Sequence, residues 1–80
     1  MIQLIKSDGN VTDNFTADTL KEKQDAVGGY IEIVYPNAIV NEEGLLKNLP
    51  YNAKASEIAG RHIVGDVICL DREDYHKFLN

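Results

Sequence analysis

Few residues in this chain have a type and spacing that could do chemistry. Glu73 and His76 stand three apart in what reads as a helix. That spacing is half of a carboxylate-bridged metal centre, which needs a second copy that the chain does not contain. His62 and Asp66 are four apart in an extended segment, which puts them on one face but about 13 Å from each other at roughly 3.3 Å per residue. They would share a metal ion only if Gly65 folded the strand. Cys69 sits between Ile68 and Leu70 in a strand pattern, without the helix N-terminus or fixed cation that lowers a thiol pKa, and reads as a structural cysteine. Ser7 and Ser56 have no histidine paired with them in sequence, and spacing does not report whether the fold brings one near. The expectation is a protein with no catalytic residue, no metal site and no cofactor, hence not an enzyme.

The carboxylates and amides carry more weight. Glu32, Glu42, Glu43 and Asp66 could converge as acid and base if their strands are neighbours, because carboxylates a few ångströms apart split their pKa values; solvation at turns and edges is the simpler account. Glu32, Asn41, Asn52 and Asp66 are the candidate binding residues. They sit beside strand ends and glycine-containing turns, where loops present polar groups on a rigid scaffold. If they form a binding patch, they should share one neighbourhood of the folded surface. The competing reading is that Asn41 and Asn52 bond only to nearby backbone, which short amides do well.

The elements that must position these groups follow from the apolar periodicity. Ile2–Lys6 reads as a short strand and Ser7-Asp8-Gly9-Asn10 as a turn. Thr16 or Asp18 is placed to cap a helix with Leu20, Gln24 and Val27 at i, i+4 and i+7. Gly28 or Gly29 stops it in the left-handed conformation that a residue without Cβ adopts at low steric cost. Tyr30–Tyr35 alternates as a strand, Pro36-Asn37 turns, and Ala38–Asn41 returns antiparallel. Glu42-Glu43-Gly44 reads as a second turn with Gly44 at positive φ, after which Leu45 and Leu46 are expected to re-enter the core. Leu49-Pro50 excludes a continuous helix, Asn52 can cap Ala53–Ala59, and Gly60 stops it. Arg61–Leu70 reads as the last strand, with a bulge or close backbone approach at Gly65-Asp66. Asp71 and Asp74 open a C-terminal helix that sets Tyr75, Phe78 and Leu79 against the sheet. The fold class expected is α+β: a mainly antiparallel sheet of about four strands with two to three short helices, the Thr16–Val27 helix and the C-terminal helix covering one face.

The chain has 80 residues, 44% hydrophobic and 26% charged, which suits one globular domain over residues 1–80. Its formal net charge of −5 is the wrong sign for a protein that gains affinity by displacing counterions from phosphates, so direct nucleic-acid binding is not expected. Imitation of nucleic acid is set aside, since the basic residues are interspersed and this charge is ordinary for a small domain. The longest mostly apolar run, His62–Leu70, is too short to span a bilayer. The N-terminal residues lack signal-peptide features, and a lone cysteine cannot form an internal disulfide. A cytoplasmic protein is expected.

Four blocks in order, Val27-Gly28-Gly29-Tyr30-Ile31-Glu32, Asn41-Glu42-Glu43-Gly44, Leu49-Pro50-Tyr51-Asn52 and Ile63-Val64-Gly65-Asp66, resemble a small domain-of-unknown-function family, DUF3846, found in bacteriophages, plasmids and the bacteria that carry them. The resemblance implies a mobile-element origin and assigns no catalytic residue to any position. The function expected is that of a non-catalytic accessory protein that binds a host or phage protein and alters its activity. The alternative is a module that sequesters a small molecule or nucleotide, although the lack of an Arg or Lys cluster counts against phosphorylated ligands.

Overall fold

A computed structural model describes residues 2–34, 37–71 and 73–74. Its elements run β1 (Ile2–Ile5), β2 (Val11–Asp13), α1 (Leu20–Val27), β3 (Ile31–Val34), β4 (Ala38–Asn41), α2 (Ala53–Ala59) and β5 (Val67–Leu70). The five strands form one sheet in the order β2-β1-β5-β4-β3 with every pair antiparallel. The α+β class stands, with one strand more than expected.

Strand residues alternate between two faces, and here both are covered. Leu4, Ile39, Ile68 and Leu70 point to one face and pack on Val27 of α1. Ile5, Val34, Ala38, Val40, Val67 and Cys69 point to the other, where Ala55 of α2 and Ile63 close the core. β4 and β5, in the interior of the sheet, are buried along their whole length. Covering on both sides explains why Val67-Ile68-Cys69-Leu70 is an unbroken apolar run rather than an alternating one. It also adds a cover that was not expected, because α2 lies across the sheet from α1. The expected C-terminal helix, with Tyr75, His76, Phe78 and Leu79, lies outside the described residues. Only its opening is seen, where Asp71 Oδ1 accepts the Asp74 N–H at 2.9 Å.

Four further expectations are corrected. The unforeseen strand, β2, has three residues and one apolar side chain, too little to show a period; it forms because the 6–10 turn, closed by Lys6 N–H to Asn10 C=O at 2.8 Å, folds Val11–Asp13 back onto β1. The α1 cap is Thr19, not Thr16 or Asp18. Thr19 Oγ1 accepts the Glu22 N–H and Glu22 Oε1 accepts the Thr19 N–H, a capping box satisfying two donors at once. At the other end Gly28 is the left-handed residue (φ 82°), donating to Gln24 C=O at 2.8 Å. The last strand begins at Val67 rather than Arg61, since Gly65 (φ 78°) breaks the extended path and leaves only a bridge between Val64 and Tyr51 before it. Gly44 does not adopt positive φ. It is needed for space: a Cβ there would stand 2.9 Å from Val64 Cγ2 and 3.3 Å from the Asn41 carbonyl.

Candidate functional site

The two asparagines are tied into the fold. Asn52 caps α2 by accepting the Ala55 N–H on Oδ1 at 3.0 Å, and its Nδ2 donates to the carbonyls of Ile5 (2.9 Å) and Gly65 (2.8 Å). Both amide protons are used and the side chain is 1% exposed, so one residue joins the end of β1, the 60–66 connection and α2. Asn41 does the matching work at α1. Its Nδ2 donates to the Val27 carbonyl at 3.1 Å and its Oδ1 accepts the Glu43 N–H at 2.8 Å. A Cβ on Gly29 would stand 3.0 Å from that Nδ2, which accounts for the second glycine of the pair.

The other two candidates lie elsewhere. Glu32 is exposed on β3, at the rim of a groove it shares with Val34, Val40, Glu42, Leu45, Arg61 and His62. Asp66 is half-buried, accepts the Ser7 N–H on Oδ1 at 3.0 Å, and borders a second groove with Lys47, Leu49, Pro50 and the Asn41 end of β4. Asn41 therefore lines both grooves, with Glu32 at one and Asp66 at the other, and Asn52 is inside the protein. A single surface patch of all four is not formed.

A third cleft, of about 440 Å³, opens at the C-terminal end of α1 between Gln24, Asp25, Gly28, Gly29 and Tyr30 on one side and Glu43 and Lys47 on the other. It shares Asp25, Gly28 and Lys47 with the Asp66 groove. Asp25 pairs with Lys21 at 3.4 Å and Glu43 with Lys47 at 3.7 Å, both at the surface. The carbonyl end of α1 adds negative potential to a cleft that already carries two carboxylates.

Cys69, Ser56 and His62 are each packed or hydrogen-bonded within the fold. Cys69 is buried, and burial pushes its thiol up to about 11, far from a nucleophilic thiolate. Ser56 is buried; its Oγ donates to the Ile63 carbonyl and accepts the Ile63 N–H at 2.8 Å. His62 stacks on Tyr51 with ring centroids 4.9 Å apart, while Asp66 turns to Ser7. Among the described residues no group of three or more His, Cys, Asp or Glu side chains could hold a metal ion, and no helix is long and apolar enough to cross a membrane.

What sequence reasoning missed is the turn over residues 42–49. Leu45 and Leu46, expected to re-enter the core, are 71% and 83% exposed. The turn is closed by Gly44 N–H to Asn41 C=O, Lys47 N–H to Glu43 C=O and Leu49 N–H to Gly44 C=O. Leu49 packs beneath it, with Cδ1 so near Gly65 that a Cβ there would come within 2.8 Å. The signal lay in the flanks: Glu42, Glu43, Gly44, Lys47 and Asn48 surround the two leucines with turn and surface residues.

A family model described as a domain of unknown function, DUF3846, matches residues 2–80. No curated protein and no solved structure matches the chain.

Proposed function

From the premise that this chain belongs to the DUF3846 family, we propose that it is a non-catalytic interaction domain that binds another protein through the turn over residues 42–49 and the neighbouring Tyr30. The observation that carries this reading is the exposure of Leu45 and Leu46 on a turn that hydrogen bonds hold in place. Burying each leucine would be worth roughly 1.5–3 kcal/mol, so a partner that covers the pair gains affinity without first ordering the turn. Tyr30, 65% exposed, adds an aromatic side chain beside Lys47 of the same turn. The polar groups with chemical potential support binding over turnover, since Asn41, Asn52, Ser56 and Cys69 are engaged or buried inside. The mobile-element origin that the family resemblance implies supports a host or phage protein, met in the cytoplasm, as the partner.

The test is a photo-crosslinking residue at Leu46, with the same group at the exposed Lys54 of α2 as control. In extracts of the native host, a protein adduct is expected from position 46 and not from position 54. No adduct at 46, or equal adducts at both, would overturn the reading. A second reading rests on the cleft beside Tyr30, whose volume is in the range of small-molecule sites. Its charge favours a neutral or cationic ligand over a nucleotide. A small-molecule adduct in native mass spectrometry that Tyr30→Ala abolishes would favour that alternative.

A further inference from the structure

We propose that the free edge of β3 takes up an extended strand of a partner protein, one that carries a basic residue opposite Glu32 between two apolar residues. The inference rests on the protein-binding reading and names the chemistry of the partner. β3 ends the sheet on one side. Glu42 N–H donates to Tyr30 C=O at 2.8 Å, and the register pairs Ile31 with Asn41 and Glu32 with Val40. Hydrogen-bonded and non-hydrogen-bonded pairs alternate along an antiparallel ladder. Tyr30, Glu32 and Val34 therefore turn their backbone groups toward β4, and Ile31 and Ile33 turn theirs outward. No described residue caps those outward groups. An added strand would gain four backbone hydrogen bonds there, the mode of recognition known as strand addition.

Side chains set what the strand must be. Ile31 and Ile33 lie on the α1 face, and Ile33 is 43% exposed, so the residues in register with them meet an apolar surface. Between them Glu32 faces the other side. Because its outward pairing is of the non-hydrogen-bonded kind, the opposing Cα comes closest there, at about 4.5 Å. Glu42 and Arg61 also line the groove at Glu32. A Lys or Arg opposite Glu32 is then attracted and an acidic residue repelled. The same argument disfavours a second copy of this chain. Pairing two β3 strands through Ile31 and Ile33 puts the two Glu32 carboxylates opposite each other, and registers shifted by two keep only one hydrogen-bonded pair of strand residues instead of two. Glu32 thus blocks self-association at an edge that would otherwise invite it. The opposite edge, β2, offers no comparable surface: Thr12 and Asp13 are exposed and Gln3 already binds Asp13 Oδ1 at 2.7 Å.

Amide hydrogen exchange by NMR on the full chain tests this, with acetyl-Thr-Val-Lys-Val-Thr-amide and its Glu-centred analogue as probes. In the free protein the amides of Ile31 and Ile33 are expected to exchange faster than those of Glu32 and Val34. Saturating Lys peptide is expected to slow Ile31 and Ile33 about tenfold and to bind about fivefold tighter than the Glu peptide. Glu32→Lys, an exposed change, should reverse the preference. Equal binding of the two peptides would overturn the proposal. So would slow exchange of Ile31 and Ile33 without peptide: independent of concentration, the chain covers its own edge; rising with concentration, a second copy does. A Leu46 crosslink that persists alongside any of these results would leave the interaction reading intact and remove only the strand-addition mode.

Discussion

The two faces of the sheet are held by different physics. Under α1 lie Leu4, Ile39, Ile68 and Leu70, all aliphatic and branched and packed on Val27, so this side is stabilised mainly by burial and dispersion, with Asn41 the buried polar group at its end. Under α2 the facing residues are smaller, including Ala38, Ala55, Val67 and Cys69, and buried polar groups stand among them. α2 has seven residues, too few to be stable alone in water. It is fixed by Asn52 and Ser56, whose side chains bond to backbone on β1 and the 63–65 segment. Burial does most to place α1, with the buried Asn41 amide bonding its last carbonyl, whereas α2 depends mainly on side-chain hydrogen bonds. The residues that looked most like binding groups in sequence are therefore partly the means by which a small domain attaches its second helix.

Ile68→Ala is expected to have the largest effect. Ile68 is fully buried and in register with Leu4 on one side and Ile39 on the other, so truncation should cost about 2–5 kcal/mol, a large share of the stability of a domain this size. Urea melts would show it; a loss below about 1 kcal/mol would mean the α1 seam collapses freely. Asn52→Ala should follow at about 2–4 kcal/mol, from the lost cap and the two carbonyls left unpaired in the interior. Asn52→Asp keeps the bond to Ala55 N–H but removes both donors and should not rescue. Full rescue by Asp would show that only the cap matters and that the α2 side is not held as described.

Much of this architecture was legible in the chain and the remainder was not, for identifiable reasons. α1, β3, β4 and α2 were visible because their caps and stops are local: Gly28, Asn52 and Gly60 act on backbone within four residues. β2 was invisible because three residues carry no period and its pairing depends on β1. The extent of β5 was overestimated because Arg61–Val64 has strand-like composition, while Gly65 and the packing of Leu49 decide where pairing starts. At the site, the sequence marked Asn41 and Asn52 as special without showing whether they face water or backbone. That distinction is made by contacts 14 residues away for Asn41 and 47 for Asn52. Leu45 and Leu46 were misplaced because two adjacent leucines read as core by composition, and only tertiary placement shows them outside.

On the α1 face, Gly28→Ala should cost about 1 kcal/mol from the left-handed backbone alone. Gly29→Ala acts differently, through the Cβ that would press on Asn41 Nδ2. A double-mutant cycle with Asn41→Ala separates the two: the Gly29 effect should vanish in that background and the Gly28 effect should persist. Persistence of both would show that Asn41 is not what excludes a side chain at position 29.

The smallest effect is expected on the α2 face and only in alkali. Burial raises the Cys69 thiol from 9.0 to about 11, so between those values the unfolded chain releases a proton that the folded chain retains. The folded state then binds more protons, and its stability falls as pH rises through that window. Below about pH 8 the group contributes almost no pH dependence. The loss should be under about 1 kcal/mol at pH 9.5. The measurement is the difference between the native chain and Cys69→Ala in urea melts at pH 8 and pH 9.5, which isolates the thiol. The native chain should lose more stability than the variant over that interval. In parallel, a thiol reagent at pH 8 should label Cys69 only as fast as the protein opens, with the rate rising in urea. Rapid labelling of the folded protein, or equal losses in the two chains, would mean that Cys69 reaches water and that the α2 side is looser than its hydrogen bonds indicate.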